Sequence, residues 1–172
     1  GPFLVVFVCI IDFVAHLCTY AQGATAWSEP LQLGIRDYIS SGDDVVGHTI
    51  LAGDALCFTV GRKVLRYDVA RHALSEITAP FMNSANVCLV TLENGELGAT
   101  ADANGHDLSL WWYDGFGGWK KHGIINLDIT ECRVLGFAEG AIFVKLGKSA
   151  CAVMIDQSSS SFHVWRDQLE LI

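Results

Sequence analysis

The sequence predicts an all-β chain, a partial β-propeller of about four antiparallel blade-like repeats, and three observations carry that prediction. Apolar runs rich in Val, Ile, Leu, Phe and Trp recur along the chain, each broken by a short polar turn, which is the pattern of pleated, buried strands. Four segments then end alike, in a strand that closes on Tyr20, Tyr67, Tyr113 or Ile155, and these anchors lie 47, 46 and 42 positions apart. Each anchor is followed after 6 or 7 positions by Trp27, Leu74, Trp119 or Phe162, and three are followed directly by Asp68, Asp114 or Asp156. An Asp at that place bonds its own backbone in a turn.

The repeats run roughly over 3–30, 47–80, 86–127 and 132–165 in a single domain. In the first, Val5 to Val8 and His16 to Tyr20 read as strands. In the second, Thr49 to Ala52, Ala55 to Phe58 and Val64 to Asp68 do so, with Gly53-Asp54 as the hairpin turn. The third has Val87 to Val90, Gly95 to Gly98 and Leu110 to Asp114, turned at Asn94-Gly95. The fourth has Val134 to Phe137, Gly140 to Val144 and Ala152 to Asp156, turned at Glu139-Gly140. Asn104-Gly105 and Gly117-Gly118 supply two further turns. Gln32 to Gly47 reads as an exposed loop. Gln168 to Ile172 fit either a helix or the start of another strand. Four repeats are few for a closed ring, so an incomplete arc with exposed blade faces and strand edges is expected.

Composition bounds the function. The 172 residues are 51 % hydrophobic and 17 % charged, enough apolar matter to fill a core and too much for a disordered chain. The formal net charge is −8, and Arg62-Lys63 and Lys120-Lys121 are the densest basic spots, so nucleic acid is a poor ligand. Cys9, Cys18, Cys57, Cys88, Cys132 and Cys151 form no CxxC pair and read as buried free thiols of a reducing compartment, cytoplasmic or nuclear. Phe3 to Ile11 is unbroken apolar sequence. It is too short for a membrane span and lacks the basic start of a signal peptide, and it reads as a buried strand. A chain that starts Gly1-Pro2 rather than with Met reads as a fragment or a processed product.

The order of certain pieces resembles the C-terminal region of a large family of grass F-box proteins. They are Phe3 to Val8, Cys18-Thr19-Tyr20, Ala26 to Pro30, Leu51 to Phe58, Val64 to Asp68, Leu74 to Ile77, Glu96-Leu97-Gly98, Leu108 to Trp111 and Val134 to Gly140. The resemblance covers about Phe3 to Ile155. It implies a plant F-box-associated, kelch-like propeller that selects protein substrates for a Skp–cullin–F-box ubiquitin ligase. In that family the F-box helices dock on the Skp adaptor. No F-box lies in this sequence, so Skp docking transfers to none of these residues and would need a missing N-terminal F-box.

Candidate sites are few. Trp111-Trp112 is the most conspicuous pair, and strand neighbours point to opposite faces. The repeat register aligns Trp111 with Cys18, Leu65 and Val153, which places it in the core, and leaves Trp112 as a candidate aromatic anchor for a protein partner. Arg36, Asp37, Tyr38, Asp43 and Asp44 share the long loop and are further candidates for protein binding. The six histidines make no HxH or HExxH, which argues against a metal. Ser158 to Ser161 make no GxSxG elbow, and Gly115 to Gly118 are not a dinucleotide fingerprint. No catalytic, cofactor or metal residue is therefore assigned. The alternatives are a glycosidase-type propeller enzyme, for which turn carboxylates such as Asp54, Glu93 and Glu139 would have to converge, and a truncated copy without a stable function.

Overall fold

The computed structural model describes residues 2–35, 46–61, 63–80, 87–102, 107–116, 118–126, 132–138, 141–146, 149–156 and 161–170. Every regular element among them is a strand, and the strands form four antiparallel meanders. The first sheet holds β1 (Leu4–Ile11), β2 (Val14–Ala21) and β3 (Leu31–Gly34) in that order. The second holds β4 (Val46–Ala52), β5 (Ala55–Val60), β6 (Lys63–Asp68) and β7 (Ala73–Ile77). The third holds β8 (Val87–Thr91), β9 (Leu97–Asp102), β10 (Asp107–Tyr113) and β11 (Trp119–Asn126). The fourth holds β12 (Cys132–Ala138), β13 (Ala141–Leu146), β14 (Ser149–Asp156) and β15 (Ser161–Glu170). The four anchors fall on β2, β6, β10 and β14, one per sheet, so the period read from the sequence is the sheet repeat.

Turn chemistry explains several hairpins. Gly53 (φ 56°) and Gly95 (φ 81°) take the left-handed backbone that only glycine adopts without strain. Asn94 Oδ1 accepts from the Glu96 N–H at 3.0 Å and tightens the second of these turns. The β1–β2 turn departs from sequence rules. Asp12 (φ 49°) and Phe13 (φ 61°) are both left-handed, the backbone of a type I′ hairpin. Asp tolerates this and Phe does not favour it. The Phe13 carbonyl is tied down by the Ile35 N–H at 2.8 Å.

The chain divides into two compact units, Gly1–Thr49 with Asp54–Ile77 and Ile50–Gly53 with Thr78–Ile172. The first is centred on Ala15, Leu17, Ile35, Phe58, Val60, Leu65 and Tyr67, with Val6, Val8, Ile10, Leu31 and Leu33 packed against them. In the second, Cys88, Leu89, Val90, Leu92, Ala99, Leu108 and Leu110 are buried. A methyl group on Gly98 would stand 2.8 Å from side-chain carbons of both Val90 and Leu92, so glycine is what lets β8 and β9 close up.

Three sequence readings are corrected. Phe3 to Ile11, read as a buried strand, supplies β1, but Phe3, Leu4, Val5, Phe7 and Ile11 are exposed. Gln32 to Gly34, read as loop, belong to β3, and Ile35 beyond them is 1 % exposed. Leu31, Leu33 and Ile35 alternate inward with period two, a signal too short to stand out beside the polar run after it. Residues 36–45 of that stretch lie outside the described residues. At the other end β15 continues to Glu170, so Gln168 to Glu170 extend a strand and start no helix.

Candidate protein-docking surface

The strands β10 and β11 gather the aromatic residues into one strip. Along β10 the buried run Leu108-Ser109-Leu110 gives way to the half-buried Trp111, Trp112 and Tyr113. The reason lies in the pairing: Leu110 faces Gly123, but Trp111 faces Lys121, so the register shifts by one and His122 is left opposite no partner. A bulge of this kind re-aims the extra side chain. The His122 ring stacks on the Trp112 indole, with centroids 3.7 Å apart and planes 13° apart.

The two faces of the ribbon differ. Alternation puts Trp111, Tyr113, Trp119 and Lys121 on one face, where Tyr113 and Trp119 pack at 5.3 Å between centroids and the Lys121 ammonium lies 5.8 Å from the Trp111 centroid. Trp112, Asp114 and Lys120 share the other face. Lys120 donates to Asp114 at 2.8 Å, and that hydrogen bond raises the lysine pKa above its ordinary value. Asp114 Oδ1 also accepts from the N–H groups of Phe116 (3.1 Å) and Gly118 (2.9 Å), which folds the β10–β11 turn. The turn presents Phe116 fully to solvent. The indole N–H of Trp112 is covered and meets no acceptor among the described residues.

This arrangement corrects one sequence reading and extends another. Trp111 is half-buried and not a core residue; its ring lies beside the exposed Lys121. Trp112 stands in the strip, and His122, which sequence reasoning missed, stands on it. No periodicity reveals a bulge, so the only available signal was an aromatic pair followed within ten residues by a histidine. Arg36, Asp37, Tyr38, Asp43 and Asp44 lie outside the described residues. Of the turn carboxylates, Asp54 is in the β4–β5 turn, Glu93 is in the β8–β9 turn, and Glu139 lies outside the described residues. Among the described residues no group of three or more His, Cys, Asp or Glu is placed to hold a metal ion.

Elsewhere the polar chemistry serves the fold. Asp68, on the anchor strand β6, accepts from the Arg71 N–H and guanidinium, both at 2.9 Å, and the backbone N–H is the main reason its carboxyl sits below the usual range. Tyr67 is hydrogen-bonded to His72 Nδ1 at 2.9 Å, and burial pushes the phenol up. Lys63 pairs with Glu76. Burial pushes the Cys57 thiol up to about 11 and the Cys88 thiol up to about 12, which makes both poor nucleophiles. Cys57 and Cys88 are buried free thiols as read from the sequence, whereas Cys9 and Cys18 are free but only half-buried. Among the described residues no helix is long and apolar enough to cross a membrane.

No family model and no curated protein matches the chain. Solved structures do. A functionally unknown protein from Desulfotomaculum acetoxidans DSM 771 aligns over 94 % of this chain and 54 % of its own, with a TM-score of 0.53 and 10 % identity. Streptogramin B lyase, a β-propeller, aligns over 95 % of this chain and 58 % of its own, with a TM-score of 0.52 and 11 % identity. The chain thus spans a little over half the length of the structures it matches. At such identities the likeness speaks for the fold and carries no activity. The chain is an all-β, partial propeller built of four antiparallel blade-like sheets.

Proposed function

We propose that the chain is a protein-interaction module, the substrate-recognition region of an F-box-type subunit of a Skp–cullin–F-box ubiquitin ligase. The observation that carries the interaction reading is the face of the β10–β11 ribbon that holds the half-buried Trp112, the His122 ring stacked on it and the exposed Lys120, with Phe116 fully exposed in the adjoining turn. Aromatic residues beside cations are what the energetic centre of a protein interface is made of. The ligase assignment rests on the ordered resemblance to grass F-box proteins. Its chemistry is non-covalent capture of a protein, with ubiquitin transferred by an enzyme elsewhere in the complex.

The test is co-precipitation of a Skp adaptor by the full-length product of the gene. Capture is expected, and residues 1–172 alone are expected to capture none. A full-length product that fails to bind Skp overturns the ligase reading. For the surface itself, Trp112→Ala in that product is expected to weaken binding of a captured substrate by at least about tenfold, the effect of losing one central aromatic anchor. Unchanged affinity removes Trp112 from the site.

A further inference from the structure

The chain holds two Asn-Gly pairs, Asn94-Gly95 and Asn104-Gly105. The first sits in the β8–β9 turn, and the second lies outside the described residues. In such a pair the backbone nitrogen reaches the preceding side-chain amide with least hindrance, because glycine has no Cβ to stand in the way. The reaction open to it is deamidation. The Gly95 nitrogen attacks Asn94 Cγ and gives up its proton, the amide nitrogen leaves as ammonia, and a cyclic succinimide closes. Water then opens the ring at either carbonyl. One opening gives aspartate. The other gives isoaspartate, in which the main chain runs through the side-chain carboxyl.

In the folded chain the groups of that reaction are engaged. The Gly95 N–H, whose proton must leave, donates to the Leu92 carbonyl at 2.8 Å. The Gly95 carbonyl accepts from the Gly53 N–H at 2.7 Å, and the Leu92 N–H donates to the Glu96 carbonyl at 2.9 Å. The peptide planes around Gly95 therefore turn only if these bonds break. The side chain is held as well. Asn94 Oδ1 accepts from the Glu96 N–H at 3.0 Å, and Asn94 Nδ2, the nitrogen that would leave, donates to Glu96 Oε2 at 2.7 Å. A Cβ built on Gly95 would meet nothing within 4 Å, so hydrogen bonds and not crowding restrain the site. Asn94 is exposed, and water reaches it.

We propose that Asn94 is a modification site gated by the fold. It stays intact while the β8–β9 turn is closed, and it converts to aspartate or isoaspartate when the turn opens. The product then keeps the turn from closing as before. Aspartate loses the Nδ2 donor and sets a second carboxylate against Glu96 Oε2, with Glu93 in the same turn, and like charges at that distance repel. Isoaspartate adds a methylene to the main chain between Leu92 and Glu96, where the bonds from Gly95 to Leu92 and from Leu92 to Glu96 fit the present length. An opening of the turn is thereby recorded in covalent form. None of this depends on the ligase reading.

The test follows the 172-residue chain in mildly alkaline buffer, folded and in guanidinium chloride. Peptide mass mapping reads the loss of Asn94, and electron-transfer fragmentation tells isoaspartate from aspartate. In the folded chain Asn94 is expected to react at least about tenfold more slowly than in denaturant, since a local opening must come first. Equal rates in the two states would overturn the proposal. Chains carrying isoaspartate at position 94 alone, separated after denaturation and returned to buffer, are expected to unfold at lower urea than the parent. An unchanged midpoint would overturn the claim that the product bars the native turn.

Two variants at the exposed Glu96 separate the turn's own hydrogen bonds from the stability of the whole fold. Glu96→Ala removes the acceptor for Asn94 Nδ2, and Glu96→Gln keeps one. With both variants folded by circular dichroism, Glu96→Ala is expected to lose Asn94 about threefold faster than the parent or more, the effect of one missing hydrogen bond. Glu96→Gln is expected to stay near the parent rate. In guanidinium chloride all three chains are expected to react alike. An unchanged rate in folded Glu96→Ala, equal acceleration in both variants, or a difference in denaturant as large as that in the folded chain would each overturn the assignment of the turn as the gate.

Discussion

Phe7→Ala and Phe58→Ala test the repeat register with a single chemistry at two equivalent positions. Both phenylalanines lie two positions after the β1 or β5 residue that pairs with the anchor tyrosine, Val5 or Leu56, and face Cys18 and Leu65 respectively. Phe58 is 1 % exposed and sits in the central cluster with Leu17, Leu65 and Tyr67. Its truncation loses the transfer free energy of the ring and leaves a cavity, about 3–5 kcal/mol. Phe7 is 54 % exposed, so only about half of a full burial of about 2–3 kcal/mol is at stake and no closed cavity forms. Its edge-on contact with Trp27, at 6.3 Å between centroids, adds about 0.5 kcal/mol. The expected cost of Phe7→Ala is therefore about 1.5 kcal/mol, and the gap between the variants about 2–3 kcal/mol. Urea unfolding of both variants and the parent, followed by circular dichroism with slopes compared, reads the difference. Equal costs, or a larger cost for Phe7→Ala, would refute the claim that Phe7 stands on an exposed face of the first sheet.

Other outcomes follow from the same geometry. Gly98→Ala is expected to cost about 1–3 kcal/mol in urea unfolding, since the new methyl meets Val90 and Leu92, and Val90→Ala in the same chain should recover part of that loss. The Asp68 carboxyl is depressed, chiefly by the Arg71 N–H, so its contribution is present above the ordinary carboxylate value of about 3.9 and is lost as pH falls through the lower folded value. Urea midpoints measured down the acid limb should fall less steeply for Asp68→Asn than for the parent; parallel curves would contradict this. Cys57 and Cys88, held up to about 11 and about 12 by burial, should escape iodoacetamide at pH 8 in the folded chain and react in urea, as peptide mass mapping reads directly. Early labelling of either would mean that its sheet opens.

Much of the fold was legible because strands announce themselves where alternation or apolar runs meet turn residues. The stretch from Ala55 to Asp68 shows both, with Gly53-Asp54 at its start, and β5 and β6 fall there. Strand β3 was missed because three inward positions in five residues compete poorly with the polar sequence that follows. Phe13 was illegible for a different reason: its left-handed backbone is imposed by the Asp12 hairpin and the bond from Ile35, a tertiary override of local preference. The candidate surface was half legible. Tryptophan identity points to Trp112, whereas the place of His122 depends on a register shift between Leu110 and Trp111 that only the three-dimensional pairing reveals.

The meander order of every sheet has a consequence for how the chain acquires its structure. Each strand pairs with its neighbours in sequence, so most contacts that define a sheet are short in chain distance and cheap in loop-closure entropy. During synthesis each sheet can zip as its last strand emerges, without waiting for the next.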